Sequence, residues 1–159
     1  MNSQTSHIEE VAQLALNKVK PIATPVPVEE IAKAFELEVV EFPFHNNISG
    51  LLKKDEGVIG VNKGQAPSRR RFTIAHELGH FLLGHGLEAN HDGEIVDGTF
   101  DKPLPVEREA NLFASALLMP RDLIQVAVKN NGLDLDKLSD QFGVSKQAMT
   151  IRLMALKLI

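Results

Sequence analysis

Hydrophobic positions three or four residues apart mark the first helical stretch of the chain. It begins at the capping-box pattern Ser6-x-x-Glu9 and extends to about Lys20. A proline-containing connector follows, and Pro27 suits the first turn of a short helix over residues 28–35. The beginning of the chain is therefore predicted to form two helices joined by a stiff link.

The pattern changes between residues 36 and 62, where β-branched residues form short runs separated by turn signals. Three strands are predicted, over residues 36–42, 48–53 and 58–62. The last two flank the sequence KDEG, which is typical of a hairpin turn. We therefore expect a small, mostly antiparallel sheet that lies against the helix that follows it.

Residues 72–84 (FTIAHELGHFLLG) form a strongly amphipathic helix pattern, with Ser68 as the predicted N-cap. At about 100° per residue, His76 and His80 lie together on one side of this helix. The opposite side is apolar and consists of Ile74, Leu78, Phe81 and Leu82. One face should therefore pack on the core while the other points two histidines into a cleft.

The rest of the chain is predicted to be mainly helical, which gives an α+β fold. A long polar loop over residues 85–105 leads to a helix over residues 106–119 and to another over residues 121–129. In the tail, a short helix ends at Gly143 and Ser145 caps a second one. This pair of helices resembles a helix-turn-helix.

The composition is that of an ordinary globular protein, with 43% hydrophobic and 24% charged residues in a chain of 159. There is no cysteine, which excludes disulfides, thiolate metal sites and cysteine nucleophiles. The start of the chain lacks a signal-peptide pattern, and no apolar run reaches the roughly 20 residues of a membrane span. We therefore expect a cytoplasmic protein without a membrane partner. The net charge of −4 speaks against nucleic-acid binding by the whole surface.

The central helix contains the sequence HELGH, an H-E-x-x-H motif. Helix residues four apart have β-carbons about 5–6 Å apart, so His76 and His80 can reach one ion at Zn–N distances of about 2.0–2.1 Å. Glu77, next to the first histidine, can act as a general base on water that a metal has acidified. A chance match on an ordinary helix is the alternative, but the phase of the helix favours a metal site.

A zinc site with two histidines needs a third protein ligand and leaves one position open. The helix over residues 106–119 offers Glu107 and Glu109, which lie on opposite edges of its apolar face. We favour Glu107, since Asn111 one turn later could hold it in place. Glu109 remains the alternative, and either residue could simply be a first-turn glutamate stabilised by the helix dipole.

Other polar loop residues are weaker candidates. The loop over residues 85–105 could bind metal or cover the cleft, although a solvated flap is the simpler interpretation. Its candidate ligands are His91, Asp92, Asp97 and Asp101. If the helix continues, His85 points about 140° away from His80 and is not a ligand. The polar residues of the earlier loop are not expected to bind metal and are His45, Asn46 and Asn47.

Two groups of basic residues could contact an acidic partner. For the run Arg69-Arg70-Arg71, a solvated helix face with one salt bridge is the simpler interpretation. The second tail helix carries three basic residues and no acid, which would suit phosphate contact. These residues are Lys146, Arg152 and Lys157. Three charges are a weak footprint, so a packing or partner surface is favoured over direct DNA binding.

Three stretches resemble, in this order, the ImmA/IrrE family of bacterial metallopeptidases. They are RRRFTIAHELGHFLLGH, EREANLFASALLMP and the helix-turn-helix-like tail, and the resemblance runs from about Val26 onward. It implies a zincin-like metallopeptidase. We therefore predict such a domain over residues 1–130, with helix-turn-helix-like helices over residues 131–159 packed on it. It also places the third ligand on Glu107. Many members carry a histidine at the position of Gly84, whereas this chain has His85 one residue later.

The resemblance implies a zinc-dependent endopeptidase that cleaves an intracellular helix-turn-helix repressor and so derepresses its genes. His76, His80 and Glu107 would hold Zn²⁺, with Mn²⁺ as a substitute. Glu77 would transfer a proton from water to the leaving amine. The strand over residues 58–62 is expected to bind the substrate by β-augmentation.

Two rival functions stay open. One is a metal-stabilised partner that sequesters a regulator without cutting it, as in toxin–antitoxin-like pairs. The other is a DNA-binding regulator that acts through the tail. A Glu77→Gln variant separates the first rival from a peptidase, because sequestration should survive the change. Salt-dependent binding to promoter DNA would favour the second.

Overall fold

The computed structural model describes residues 1–45, 48–85, 94–97 and 104–159. Within these residues the chain forms seven helices and four strands, which confirms the predicted α+β class. In chain order they are α1 (Ser3–Leu16), α2 (Val28–Ala34), β1 (Glu38–Phe42), β2 (Gly50–Lys53), β3 (Val58–Asn62), α3 (Pro67–Leu82), β4 (Glu94–Asp97), α4 (Leu104–Leu118), α5 (Arg121–Asn131), α6 (Leu135–Phe142) and α7 (Lys146–Ala155). None of the described helices is long and apolar enough to span a membrane.

In the described part of the chain, the four strands form one sheet in the order β1-β3-β2-β4. β2 runs antiparallel to β3 and β4, whereas β1 runs parallel to β3. The sheet is therefore mostly antiparallel, as predicted. β4 corrects the prediction of a loop over residues 85–105. Its sequence, EIVD, has only two apolar residues between acids, and the strand forms through its pairing with β2.

The start of α1 differs from the prediction. The helix begins at Ser3, and the side chain of Asn2 accepts a hydrogen bond from the backbone N–H of Thr5 at 2.8 Å. An asparagine that accepts at the third residue of the helix is a strong N-cap. Ser6 and Glu9 therefore lie inside the helix and do not form the predicted capping box.

The caps of the later helices agree with the prediction in the tail but not at α3. α3 begins at Pro67 without a side-chain cap, so Ser68 is its second residue rather than its N-cap. Proline starts a helix readily because its fixed φ is already helical. In the tail, Ser145 Oγ accepts from the backbone N–H of Ala148 at 3.1 Å, and Gly143 ends α6 at a φ of 63°. Both tail caps are confirmed.

α3 is the centre of the fold and contacts β2, β3, α2 and α4. Residues 73–80 are all buried, so the histidine side of the helix is covered as well as its apolar side. α4 covers the histidine side and crosses α3 at Gly79. A Cβ added at Gly79 would lie 2.9 Å from Cδ1 of the fully buried Phe113. The close crossing therefore depends on glycine at this position.

Replacing Gly79 by alanine should destabilise the protein. Alanine gains up to about 1 kcal/mol in helix propensity, but overpacking against Phe113 costs about 1–3 kcal/mol. We expect a lower urea midpoint with an unchanged m-value. The control is Ala34→Val at an exposed position of α2, which should change stability by no more than about 0.5 kcal/mol. An unchanged midpoint for Gly79→Ala would contradict the described crossing.

The buried Arg152 and the partly buried Arg71 join the tail to the rest of the chain. Arg152 of α7 donates from Nε to the Met119 carbonyl oxygen at 2.9 Å. It also pairs with both carboxylate oxygens of Glu9, at 2.5 and 3.2 Å. Arg71 of α3 donates to the carbonyl oxygen of Gly143 at 3.2 Å, and burial lowers the pKa of its guanidinium. The two predicted tail helices thus pack on the body of the chain. Their division into a separate domain and their helix-turn-helix character remain predictions.

Candidate metal centre

The crossing of α3 and α4 brings the predicted site residues together. α3 carries His76, Glu77 and His80 within a little more than one turn, and all three are buried. α4 contributes Glu107 from its first turn. The candidate site is therefore held by two packed helices, which fixes its side chains more closely than loops would.

Three donor groups converge at this crossing. His76 Nε2 lies 3.1 Å from His80 Nε2. One carboxylate oxygen of Glu107 lies 3.2 Å from His76 Nε2, and the other lies 3.2 Å from His80 Nε2. Ligands about 2.05 Å from a tetrahedral zinc ion are about 3.3 Å apart, since the edge of a tetrahedron is about 1.6 times its radius. We call these three groups the donor triangle. The two distances to Glu107 involve different oxygens, and with one atom per residue the three donors lie within 4.8 Å of one another. This spacing allows one metal ion, such as zinc, to bind all three residues.

Asn111 fixes the ring of His76. Asn111 Oδ1 lies 2.8 Å from His76 Nδ1. An amide oxygen only accepts hydrogen bonds, so Nδ1 carries the proton and Nε2 presents a lone pair to the donor triangle. Asn111 was expected to hold Glu107. The structure places its hydrogen bond on His76 instead, because the second turn of α4 faces that imidazole.

A chain of hydrogen bonds leads from His80 away from the donor triangle. His80 Nδ1 lies 2.9 Å from His85 Nδ1, and His85 Nε2 lies 2.7 Å from a carboxylate oxygen of Glu109. Gln4 of α1 donates to the other oxygen of Glu109 at 2.5 Å. Since a carboxylate accepts, His85 carries its proton on Nε2 and accepts from His80 at Nδ1. This series of hydrogen bonds thus keeps the proton of His80 on Nδ1, which leaves Nε2 free of a proton and able to bind a metal.

His85 reaches His80 because α3 ends before it. Gly84 has a φ of 72°, and the backbone N–H of His85 donates to the His80 carbonyl oxygen at 2.9 Å. The prediction that His85 points away from His80 assumed a continued helix and is wrong. His85 is not part of the donor triangle, and its exclusion from the ligands remains a prediction. Lys54 also donates to the carbonyl oxygen of His85, and burial lowers the pKa of this lysine.

Glu77 lies beside the donor triangle. It is fully buried, and neither carboxylate oxygen has a hydrogen-bond partner among the described residues. A Cβ added at Gly50 of β2 would lie 3.1 Å from Glu77 Oε1 and 2.6 Å from Thr73 Cγ2, so only glycine lets the sheet approach this closely. Leaving a buried acceptor without a donor costs free energy. A carboxylate in this state is typical of a group that serves water or substrate.

A cleft of about 1310 Å³ opens beside the donor triangle and includes His76, Glu77 and Glu107 in its lining. Much of its remaining lining comes from α1 and α7, the first and last helices in the described part of the chain. Sequence reasoning missed both contributions, because no local spacing indicates that helices so far apart in sequence meet at one cleft. The candidate site is thus assembled from most of the chain.

The sequence matches the Peptidase_M78 family model, described as the IrrE N-terminal-like domain, over residues 32–154. The chain belongs to the ImmA/IrrE family. The matched part contains the H-E-x-x-H helix and Glu107, so the donor triangle lies entirely within it. The predicted resemblance is thereby confirmed. α1 lies outside the matched part.

Two curated relatives carry the name radiation response metalloprotease IrrE. The Deinococcus radiodurans protein is 35% identical over 89 residues, which are 52% of this chain and 25% of that protein. The Deinococcus deserti protein is 35% identical over 81 residues, which are 47% of this chain and 27% of that protein. The similarity therefore spans about a quarter of each relative's length.

A solved structure titled Mycobacterium tuberculosis transcriptional regulator has a similar fold. The TM-score is 0.61 at 19% sequence identity, and the similarity covers 96% of this chain and 47% of that one. At this identity the comparison supports the fold of the ImmA/IrrE chain and nothing about its activity.

The remaining candidate ligands do not join the donor triangle in the described part of the ImmA/IrrE chain. His45 is exposed in the loop after β1. Asp97 ends β4, and its side chain lies outside the described residues. The candidates His91, Asp92 and Asp101 lie wholly outside them. The same holds for Asn46 and Asn47, which, like His45, were not expected to bind metal.

The arginine run at the start of α3 makes contacts within the protein. Arg69 donates to Ser49 Oγ at 2.7 Å. Arg70 pairs with Glu29 of α2 and, at 3.5 Å, with Glu41 of β1. The predicted salt bridge is present, but only Arg69 is exposed, so the run is not a simple solvated face. Together with the contact of Arg71 to the tail, the run joins α3 to α2, to β1, to the tail and to the residue before β2.

Replacing Glu109 by alanine should weaken zinc binding by about 10–100-fold, the usual effect of losing a partner of a ligating histidine. Without the carboxylate, His85 no longer holds His80 in the metal-binding tautomer. Glu109→Gln should retain most of the affinity, because its amide oxygen can still accept from His85. Competition with a chromogenic chelator measures the affinity. Equal affinity of Glu109→Ala and the unchanged protein would show that the hydrogen-bond chain does not support the centre.

Proposed function

We propose that the chain is a zinc-dependent endopeptidase that hydrolyses a peptide bond in another protein. The observation that carries this proposal is the donor triangle beside Glu77, a buried carboxylate with no hydrogen-bond donor in the described part of the chain. Two histidines and one glutamate that leave a position open are typical of catalytic rather than structural zinc sites. Membership of the ImmA/IrrE family and the names of two relatives support the same activity.

The residues divide the chemistry between them. When bound, zinc supplies a Lewis acid that lowers the pKa of water and polarises the scissile carbonyl. Glu77 removes the proton of the attacking water and delivers it to the leaving amine. Asn111 and His85 hold the two imidazoles in the tautomers that direct Nε2 into the site.

We propose that the substrate lies in extended form along β4. β3, the strand predicted to bind it, lies between β1 and β2 and is paired on both sides, so that prediction is wrong. β4 is at the edge of the sheet within the described residues. Its last residue, Asp97, is paired with Gly50, which lies against Glu77. A strand added to the open side of β4 would therefore pass the end of the sheet nearest the catalytic carboxylate.

The proposed substrate is a helix-turn-helix transcriptional repressor in the cytoplasm, whose cleavage derepresses its genes. This part of the proposal rests on the family resemblance. Co-expression with helix-turn-helix repressors from the same genome, followed by mass measurement of fragments, tests it. One or a few defined cuts are expected, and Glu77→Gln should lose nearly all of this cleavage. A repressor that binds tightly but stays whole at all metal concentrations would favour sequestration instead.

The charges of the tail argue against the rival function of DNA binding. Arg152 is buried and paired with Glu9. Lys146 pairs with Asp136, and this hydrogen bond raises the pKa of Lys146. Two of the three basic residues that could contact phosphates are therefore already engaged within the protein.

A further inference from the structure

The exposed face of α7 is mainly apolar after the first turn, which carries the exposed Lys146 and Gln147. Ile151 is 58% exposed and Met154 is 61% exposed, whereas Arg152 between them is buried. Ala148, Ile151 and Ala155 of this helix line the cleft that also contains His76 and Glu77. The helix that resembles a DNA-recognition helix thus presents apolar side chains to the candidate active site.

The cleft also carries cations without acidic partners. Arg69, Arg108 and Arg121 line it, and none of them pairs with a carboxylate in the described ranges. Among the glutamates that line the cleft, Glu9 pairs with Arg152, Glu109 with His85, and Glu107 belongs to the donor triangle. Glu77 is the one of these that has no hydrogen-bond partner among the described residues. Arg69 and Arg121 stand in the first turns of α3 and α5, which lack side-chain caps, so the helix dipoles add positive potential.

We infer that the cleft seats a segment of the substrate protein that carries both acidic and large apolar side chains. The apolar side chains pack on Ile151 and its neighbours on α7, and the acidic ones face Arg69, Arg108 and Arg121. This inference rests on the proposed peptidase function, because that function makes the bound segment part of a protein substrate. The continuity of the cleft from Glu77 to α7 and its unpaired positive charge determine the chemistry of that occupant.

The test measures peptide binding separately from cleavage. Four fluorescent peptides share one sequence except at the variable positions, which carry either Asp or Lys together with either Leu or Ser. Zinc-loaded Glu77→Gln protein is titrated into each peptide. The Asp/Leu peptide should bind at least about tenfold more tightly than the Lys/Leu and Asp/Ser peptides. Equal affinities, or no measurable binding of the Asp/Leu peptide, would overturn the inference. A labelled DNA duplex is the fifth probe, and tighter binding of the duplex than of any peptide would also overturn it.

Variants locate the two contributions. Ile151→Ser should remove the preference for Leu over Ser, and Arg108→Ala with Arg121→Ala should remove the preference for Asp over Lys. The matched controls are Val126→Ser, at a 56% exposed position of α5 outside the cleft, and Lys129→Ala on the same helix. Both controls should leave the preferences unchanged. Preferences that are lost in the controls as readily as in the cleft variants would contradict the assignment.

If wild type binds the peptides with the expected pattern but cuts neither them nor the repressor, the subsite is supported and the peptidase proposal fails.

Discussion

Cleavage by the Glu77→Gln variant is expected to fall by about 10²–10⁴-fold, the usual contribution of a general base. The amide cannot take a proton from water, while its size and burial match those of the carboxylate. Zinc content, thermal stability and partner affinity should stay the same, because Glu77 is not part of the donor triangle. The measurement is the initial rate of repressor cleavage at equal zinc occupancy.

The control for this change is Glu30→Gln at an exposed position of α2, far in sequence from the site, which should cut like wild type. A Glu77→Gln variant that cuts as fast as the control would refute the role of Glu77 even if the enzyme is a peptidase. Loss of zinc in the variant would instead indicate that Glu77 supports the metal.

Replacing Glu107 by alanine is expected to weaken zinc binding by more than about 100-fold, beyond the range for residues that only support a ligand. The change removes both carboxylate oxygens that lie 3.2 Å from the histidine nitrogens. A ligand that binds only the native state raises the free energy of unfolding by about 4 kcal/mol when its concentration is about 1,000 times its dissociation constant. Zinc should therefore raise the Tm of the unchanged protein strongly but that of Glu107→Ala very little.

Glu109→Ala provides the comparison for this experiment, because it stands two residues away and contacts His85 rather than the donor triangle. It should keep a clear zinc-dependent rise in Tm. If zinc raised the Tm of Glu107→Ala strongly but not that of Glu109→Ala, the third ligand would be Glu109 and not Glu107.

The elements that sequence predicted well are those whose signal is local. The period of the apolar residues in α3 and the glycine and serine caps of the tail depend only on neighbouring residues. β4 depends on its pairing with β2, so its short sequence gave no sufficient signal by itself. The same reasoning explains why β3 was taken for a binding strand: its neighbours in the sheet could not be read from its own residues.

The two histidines of the donor triangle were predictable because H-E-x-x-H spacing is a property of one helix. Glu107 lies on a second helix, and only the family resemblance favoured it clearly over Glu109. The residues that support these donors were not predictable. Asn111 was assigned to Glu107 from its spacing on α4, but the crossing of two helices places it on His76. The role of His85 depends on the left-handed Gly84, which turns the chain back at the point where a continued helix was assumed.

The match to the family begins at residue 32, so α1 lies before it, although α1 packs in the core of the structure. Ile8, Ala12, Ala15 and Leu16 are buried in the common core, and Gln4 holds Glu109. A protein trimmed to the family boundary would expose the α4 surface that α1 covers, and Arg152 would lose its partner Glu9. Such a fragment should be prone to aggregation. Expression of this family member therefore needs the segment that family alignment would discard.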